Sequence, residues 1–231
     1  MAKTKKQKRK QRITLFIWSI VVAMSAFLYM VKDHPDFISA RKWVFQKIFE
    51  FPAVQKANQE NSIKSTQFNY GDEIDRLAKE YGLSPTYLKS LVVLECSGRK
   101  PVKPRFEKHV FRKLQKVRDG QRKQFERITK KDLHDASDEA LKNLASSWGP
   151  FQLMGYKCLQ LEVKVSDIRG EDALDWGVRW IHMEYGHLLK RNKYKDAFHY
   201  HNTGRVFPSD GKALTHDPKY VDKGLRYMGL F

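Results

Sequence analysis

The chain is short of cysteine and of acid. Two cysteines, Cys96 and Cys158, stand among 231 residues. They allow one disulfide at most, and neither they nor any carboxylate completes a familiar zinc spacing with the eight histidines. His199-x-His201, with His182 and His187, sets imidazoles at ligand-like separations, but pairs of this kind arise by chance in a basic chain, and no metal or cofactor is expected. Acidic residues number 26 against 44 Lys and Arg, a net charge of +18. The first twelve residues hold seven Lys or Arg and no acid, and from Ile13 to Val31 there is no charge of either sign. No internal repeat is visible.

The uncharged run matches the roughly 20 apolar residues that cross a bilayer's hydrocarbon core. Trp18 and Tyr29 lie toward its ends as interfacial anchors, and Lys32 closes it. The cations of residues 1–12 hold that end in the cytoplasm, which predicts a signal-anchor helix over 13–31 and everything beyond it across the inner membrane, in the periplasm or outside the cell. The competing reading is a cleaved secretory signal with Ala23 and Ser25 at the cut. Against it, Ala26 to Met30 continue the apolar run past that point.

Residues 32–68 read as a stalk. Phe37, Trp43, Val44, Phe45, Ile48 and Phe49 give a short amphipathic helix limited by Pro52, suited to a membrane surface, and KANQENSIKSTQ reads as a linker. A mostly helical domain is expected over 69–231. Helices are predicted at Asp72 to Tyr81, from Pro85 with Ser84 as cap, at Phe106 to Val117, at Ala136 to Leu144, at Asp172 to Asn192 and near Lys195 to Tyr200.

Within Ser84 to Gly98, Leu88, Leu91 and Val92 recur at helical spacing, and Glu95 continues the series. A carboxylate thus faces the core at a helix end, where Ser97-Gly98 stops the helix and glycine supplies the left-handed conformation. Lost hydration raises its pKa and keeps it protonated near neutrality, which is what a glycosidase general acid needs. The alternative is a structural carboxylate satisfied by an Arg, Lys or backbone partner.

Two further segments carry polar and glycine-rich chemistry. Ala145 to Gly155, with Ser147, Trp148, Gly149, Phe151, Gln152 and Met154, is a tight turn flanked by apolar contacts, either a groove wall or a structural turn. His199-Tyr-His-Asn-Thr-Gly204 places Tyr200 and Asn202 before a helix-ending glycine, where Asn202 has donor and acceptor groups for a sugar.

Together these segments resemble the lysozyme superfamily in its goose-type and lytic-transglycosylase branch, and most of all the N-acetylmuramidase domain of many phage endolysins. Leu91 to Gly98 looks like the helix ending in Glu-x-Ser-Gly. Arg105 to Phe111 looks like Phe-Glu-x-His-Val-Phe, Ser147 to Gly155 like Ser-x-Gly-x-x-Gln-x-Met-Gly, and Tyr200 to Gly204 like Tyr-Asn-Gly. The resemblance spans roughly residues 69–231. It implies a mainly α, α+β lysozyme-like fold with a small β-hairpin forming one wall of a saccharide groove.

It also implies a substrate, the glycan strands of peptidoglycan, cut between N-acetylmuramic acid and N-acetylglucosamine. Glu95 would act as general acid, and the bond would break by hydrolysis or by attack of the muramic acid's own 6-hydroxyl. Glu107 is the candidate second carboxylate: a separation of about 6.5–9.5 Å from Glu95 suits an inverting water and about 5 Å a covalent intermediate. Its other reading is an ion pair or cap, with His109 packed beside it. Ser97, Gly98, Ser147, Gly149, Gln152, Met154, Tyr200 and Asn202 are the expected substrate-binding residues.

Three features depart from the family pattern. Cys96 follows Glu95, so it and Cys158 either bridge or are buried free thiols. Thr203 separates Asn202 from its glycine. The basic insertion from Lys116 to Lys131 is a solvated arm or a surface for an acidic partner. Residues 1–12 supply +7 of the net charge, leaving +11 on the rest, which suits carboxylates of the wall and anionic lipid headgroups. Nucleic acid is the rival partner for a basic, aromatic chain, but a membrane crossing removes it from reach. A module that binds the wall as an inactive scaffold is the alternative function, and it requires Glu95 to be lost or blocked.

Overall fold

The structure, a computed structural model, describes residues 52–231 and, before them, 38, 39, 42 and 43. The expected basic tail, the 13–31 span and most of the 37–49 helix lie outside the described residues. Among the described residues no helix is long and apolar enough to cross a membrane. The chain divides into two compact units, 1–58 and 59–231, and the second is mainly helical.

Helix α1, Pro52–Tyr81, takes in the whole of the expected linker. Proline stands at its first position, where no intrahelical N–H is needed, and no second proline follows. Thr66, Tyr70, Ile74, Leu77 and Ala78 are all buried, one stripe at helical spacing. The upper part of that stripe is threonine instead of leucine, so residues 56–67 look like a polar tether in sequence. The compact unit therefore begins at Gln59, ten residues ahead of the expected boundary at Asn69.

Helix α2, Pro85–Cys96, starts as expected: Ser84 Oγ accepts from the Tyr87 N–H. It is not amphipathic. Tyr87, Leu88, Leu91, Val92, Val93 and Cys96 are buried, so apolar side chains surround the axis and the helix runs through the core. Its Lys89, 10% exposed, is held by Asp75 at 2.9 Å. The left-handed conformation begins one residue earlier than expected, at Ser97 (φ 57°), and continues at Gly98 (φ 70°).

Gly98 is required by a close approach. A Cβ there would stand 2.4 Å from the Thr66 nitrogen and 2.8 Å from the Ser62 carbonyl oxygen of α1. Asn69 Nδ2 donates to the Gly98 carbonyl at 2.7 Å, and Tyr70 Oη to that of Arg99 at 2.6 Å. Gly98→Ala is therefore expected to cost on the order of 3 kcal/mol, combining backbone strain with a clash against main chain that cannot rotate away. Urea unfolding at constant m-value measures it, and a change under about 0.5 kcal/mol would show that α1 is free to shift.

Short strands and helices follow. Strand β1 (Arg105–Phe106) leads into α3 (Lys108–Arg118), then β2 (Gln124–Phe125), β3 (Ile128–Thr129), α4 (Lys130–Leu133), α5 (Asp138–Leu144), β4 (Ser146–Trp148) and β5 (Leu153–Met154). A 3-10 turn at Gly155–Leu159 precedes α6 (Val165–Arg169), α7 (Ala173–Leu189), α8 (Tyr194–Thr203) and α9 (Tyr220–Met228). Phe106, expected in a helix, is on β1. Strands β1, β4 and β5 form an antiparallel sheet in which Arg105 faces Ser147 and Ser147 faces Met154. That register puts the three residues in one row across the sheet.

The basic insertion is mostly exposed, but within it the β2–β3 hairpin buries Phe125 and Ile128. Helix α9, which the sequence did not announce, packs against α2 and α8. Cys96 and Cys158 are both buried free thiols, so the disulfide alternative does not hold.

Candidate active site

One cavity of about 480 Å³ opens beside the end of α2, and Glu95, Glu107, Ser147, Gln152, Met154, Tyr200 and Asn202 all line it. They come from α2, the β1–α3 junction, the β4–β5 hairpin and α8, four segments brought together by the sheet register and by α2's path through the core. Ser97, Gly98 and Gly149, expected to touch substrate, do not line it. Ser97 is exposed at the helix cap, and Gly98 is turned against α1. Gly149 (φ 68°) makes the β4–β5 turn, where a Cβ would stand 2.9 Å from that of Ala173.

Glu95 has a side chain 17% exposed. Burial pushes its pKa up to about 7, against the Tyr220 hydrogen bond and the Arg105 charge, which both pull it down. Tyr220 Oη donates to Oε1. His201 Nε2 lies 3.8 Å from the same oxygen. Oε1 is thus occupied, and the acid proton is left to Oε2.

A buried chain of hydroxyls fixes His201. Its Nε2 donates to the Phe151 carbonyl at 3.1 Å, so Nδ1 accepts from Tyr185 Oη at 2.8 Å, and Tyr185 in turn accepts from Tyr87 Oη at 3.3 Å. A carbonyl only accepts, which settles the tautomer. Burial holds the imidazole neutral, its pKa lowered to about 4. His199 is equally committed, to the Arg205 carbonyl at 2.7 Å and the Leu214 N–H at 3.0 Å. Among the described residues no three His, Cys, Asp or Glu side chains converge as a metal site.

Glu107 is the N-cap of α3 without a side-chain capping bond. Its carboxylate is paired with Arg105 Nε at 2.7 Å and lies 3.5 Å from His109 Nδ1. Ser147 Oγ donates to Gln152 Oε1 at 2.7 Å, and Gln152 Nε2 to the Gly149 carbonyl at 3.2 Å. Gln152 therefore presents an amide already oriented, at a left-handed position (φ 49°) in the turn. Tyr200 Oη reaches Glu184 Oε2 at 3.5 Å, and Asn202 is exposed on the rim.

Sequence reasoning missed several lining or supporting groups. Tyr220 lies 125 residues from Glu95 in a helix without a motif. Arg105 sits within a recognised segment but reads as a surface cation. Trp180, Lys157 and Glu184 fall in stretches with no distinguishing pattern, although Trp180 continues the buried face of α7. Comparison with family models, with curated proteins and with solved structures finds no match.

Removing the Tyr220 hydroxyl tests the Glu95 contact. Because that donor lowers the Glu95 pKa, Tyr220→Phe should move the alkaline limb of any Glu95-dependent activity to higher pH. A pH-rate profile of both proteins measures it, and an unmoved limb would separate Tyr220 from the titration.

Proposed function

We propose that the chain is a membrane-anchored peptidoglycan glycosidase with a lysozyme-like fold, cutting the β-1,4 bond between N-acetylmuramic acid and N-acetylglucosamine. The observation that carries it is the setting of Glu95: a carboxyl group only 17% exposed, hydrogen-bonded by Tyr220 at the wall of an open, mixed polar and aromatic cavity, where burial raises its pKa to about 7. The motifs around it, Glu-Cys-Ser-Gly, Phe-Glu-Lys-His-Val-Phe and Ser-Trp-Gly-Pro-Phe-Gln-Leu-Met-Gly, supply the choice of substrate. The anchor is the uncharged 13–31 run, with the domain in the periplasm or outside the cell.

In this reading Oε2–H of Glu95 protonates the glycosidic oxygen as the C–O bond breaks, and positive charge builds on the muramic ring. Glu107, held by Arg105, is the anion that faces that charge or activates a water. Ser147 orients Gln152, whose amide hydrogen-bonds the sugar, and Tyr200 and Asn202 complete the groove. The neutral His201 neither competes for the acid proton nor adds charge beside it.

Full-length protein and its Glu95→Gln variant, incubated with purified peptidoglycan, decide the matter by mass spectrometry of released fragments. Wild type should release disaccharide-peptide units with reducing or 1,6-anhydro muramic ends, and the variant at least about 100-fold less. Glycan strands left uncut by both proteins would sink the glycosidase reading in favour of a wall-binding scaffold.

A further inference from the structure

The cavity holds more positive charge than its own carboxylates neutralise. Arg105 is matched by Glu107 at 2.7 Å and Arg127 by Glu184 at 3.0 Å. Lys157, only 13% exposed, has Glu126 Oε2 as its ion-pair partner at 3.7 Å, longer than a hydrogen bond, and that glutamate is 46% exposed. Lys113 lines the same cavity with Nζ 5.2 Å from the Phe125 ring centre, and no carboxylate lies within ion-pair distance of it among the described residues. Against these two ammonium groups the cavity sets one half-exposed carboxylate, paired only with Lys157, while Glu95 contributes no charge when protonated.

The setting of the two lysines is aromatic. Lys157 Nζ stands 5.1 Å from the Tyr156 ring and 5.2 Å from that of Trp180. Tyr156 packs edge-on against Phe125 at 5.4 Å, so one ring pair borders both ammonium groups. Trp180 also lies 5.9 Å from the His201 ring, which connects Lys157 to the Glu95 neighbourhood through two side chains. A buried ammonium with a weak partner is costly, and burial depresses the Lys157 pKa. An anion that enters beside it recovers that cost, and flat rings next to the anion suit the apolar face of a sugar.

We propose that Lys157, assisted by Lys113, forms an anion subsite of the cavity that holds a carboxylate carried by the glycan strand. The inference rests on the glycosidase reading and specifies its substrate: a strand with acidic substituents, in preference to a neutral N-acetylglucosamine polymer. The carboxylate has two sources, the lactyl group of a muramic acid without a peptide stem and the stem itself.

Calorimetric titration of full-length Glu95→Gln protein, in which turnover is stopped, tests the subsite with three oligosaccharides of equal length. One is neutral N-acetylglucosamine oligomer, one contains stem-free N-acetylmuramic acid, and one carries peptide stems. A charge-assisted contact predicts about tenfold tighter binding of at least one acidic oligomer over the neutral one. A gain already present without stems assigns the lactyl carboxylate, and a gain seen only with stems assigns the peptide. Lys157→Met in the same background should bring the preference within about twofold.

Glu126→Gln keeps the buried lysine and removes its competing anion, so it should enlarge the preference, and it remains decisive if the methionine variant does not fold. Equal affinity for all three oligosaccharides, or a Glu126→Gln preference no larger than the parent's, overturns the subsite and leaves the glycosidase intact. Absence of binding to any of the three, together with uncut peptidoglycan, overturns both.

Discussion

Glu95→Gln is expected to slow glycan cleavage by about 10² to 10⁴-fold, the usual contribution of a positioned general acid, while making the protein more stable at alkaline pH. The two effects share one cause. Glu95 titrates at about 7 in the fold against an ordinary 4.5. Between those values the folded chain keeps a proton that the unfolded chain has released, so stability falls as pH rises through that window. It is unpenalised below pH 4.5 and bears the whole cost of a buried carboxylate above pH 7. The shift corresponds to roughly 3 kcal/mol.

Glutamine carries no such charge, its Oε1 still accepts from Tyr220, and its volume is nearly unchanged. The stability difference between variant and wild type should therefore grow by roughly 3 kcal/mol from pH 4 to pH 8, read from urea titrations at both. A difference that stays constant with pH would mean that Glu95 is solvated in the native protein and lacks the property on which the proposed function rests. Loss of activity with no pH-dependent gain would place the defect in geometry instead.

How much of this was legible in the chain differs from element to element. Glu95 was readable because helical spacing placed a carboxylate in a series of buried residues, and burial acts on a carboxylate in one direction. The sequence did not reveal that apolar side chains surround α2, since Tyr87 looks like an ordinary off-face residue until Tyr185, Tyr194 and Phe198 of α7 and α8 pack against it. The 56–67 segment misled for the opposite reason: Thr66 is completely buried, but a single threonine in a polar stretch gives no apolar period. Its burial follows from Gly98, whose missing side chain lets α1 approach.

The site was legible where its residues fall in one short segment and illegible where they meet through tertiary structure. Ser147, Gln152 and Met154 belong to one hairpin, and the turn chemistry announces them. Tyr220, Tyr185 and Tyr87 act on Glu95 or His201 from three helices, and a tyrosine on a buried helical face looks like packing in any sequence. The β2–β3 hairpin brings Phe125 and Arg127 to the cavity from an insertion whose composition, dense in Lys, Arg and Gln, suggests solvent.

Glu107→Gln should lower the rate by about 10² to 10⁴-fold if its carboxylate activates the water or faces the charged sugar, and it should also shift the pH profile in a direction that pairing alone fixes. Arg105 is bonded to Glu107 at 2.7 Å and already pulls the Glu95 pKa down. Taking away the glutamate's charge leaves that guanidinium less neutralised, so its pull on Glu95 strengthens and the alkaline limb moves to lower pH. The limb shift follows from the ion pair, whatever Glu107 does in the reaction. The loss of rate at pH 5, where Glu95 is protonated in both proteins, follows only from a part in the chemistry.

A variant with the shifted limb but wild-type rate at pH 5, releasing 1,6-anhydro products, would make Glu107 the holder of Arg105 and the 6-hydroxyl of the substrate the nucleophile. A variant slow at pH 5, from an enzyme that releases reducing ends, would assign the activated water to Glu107. A profile with neither change would break the link among Glu107, Arg105 and Glu95 on which the arrangement of the cavity depends.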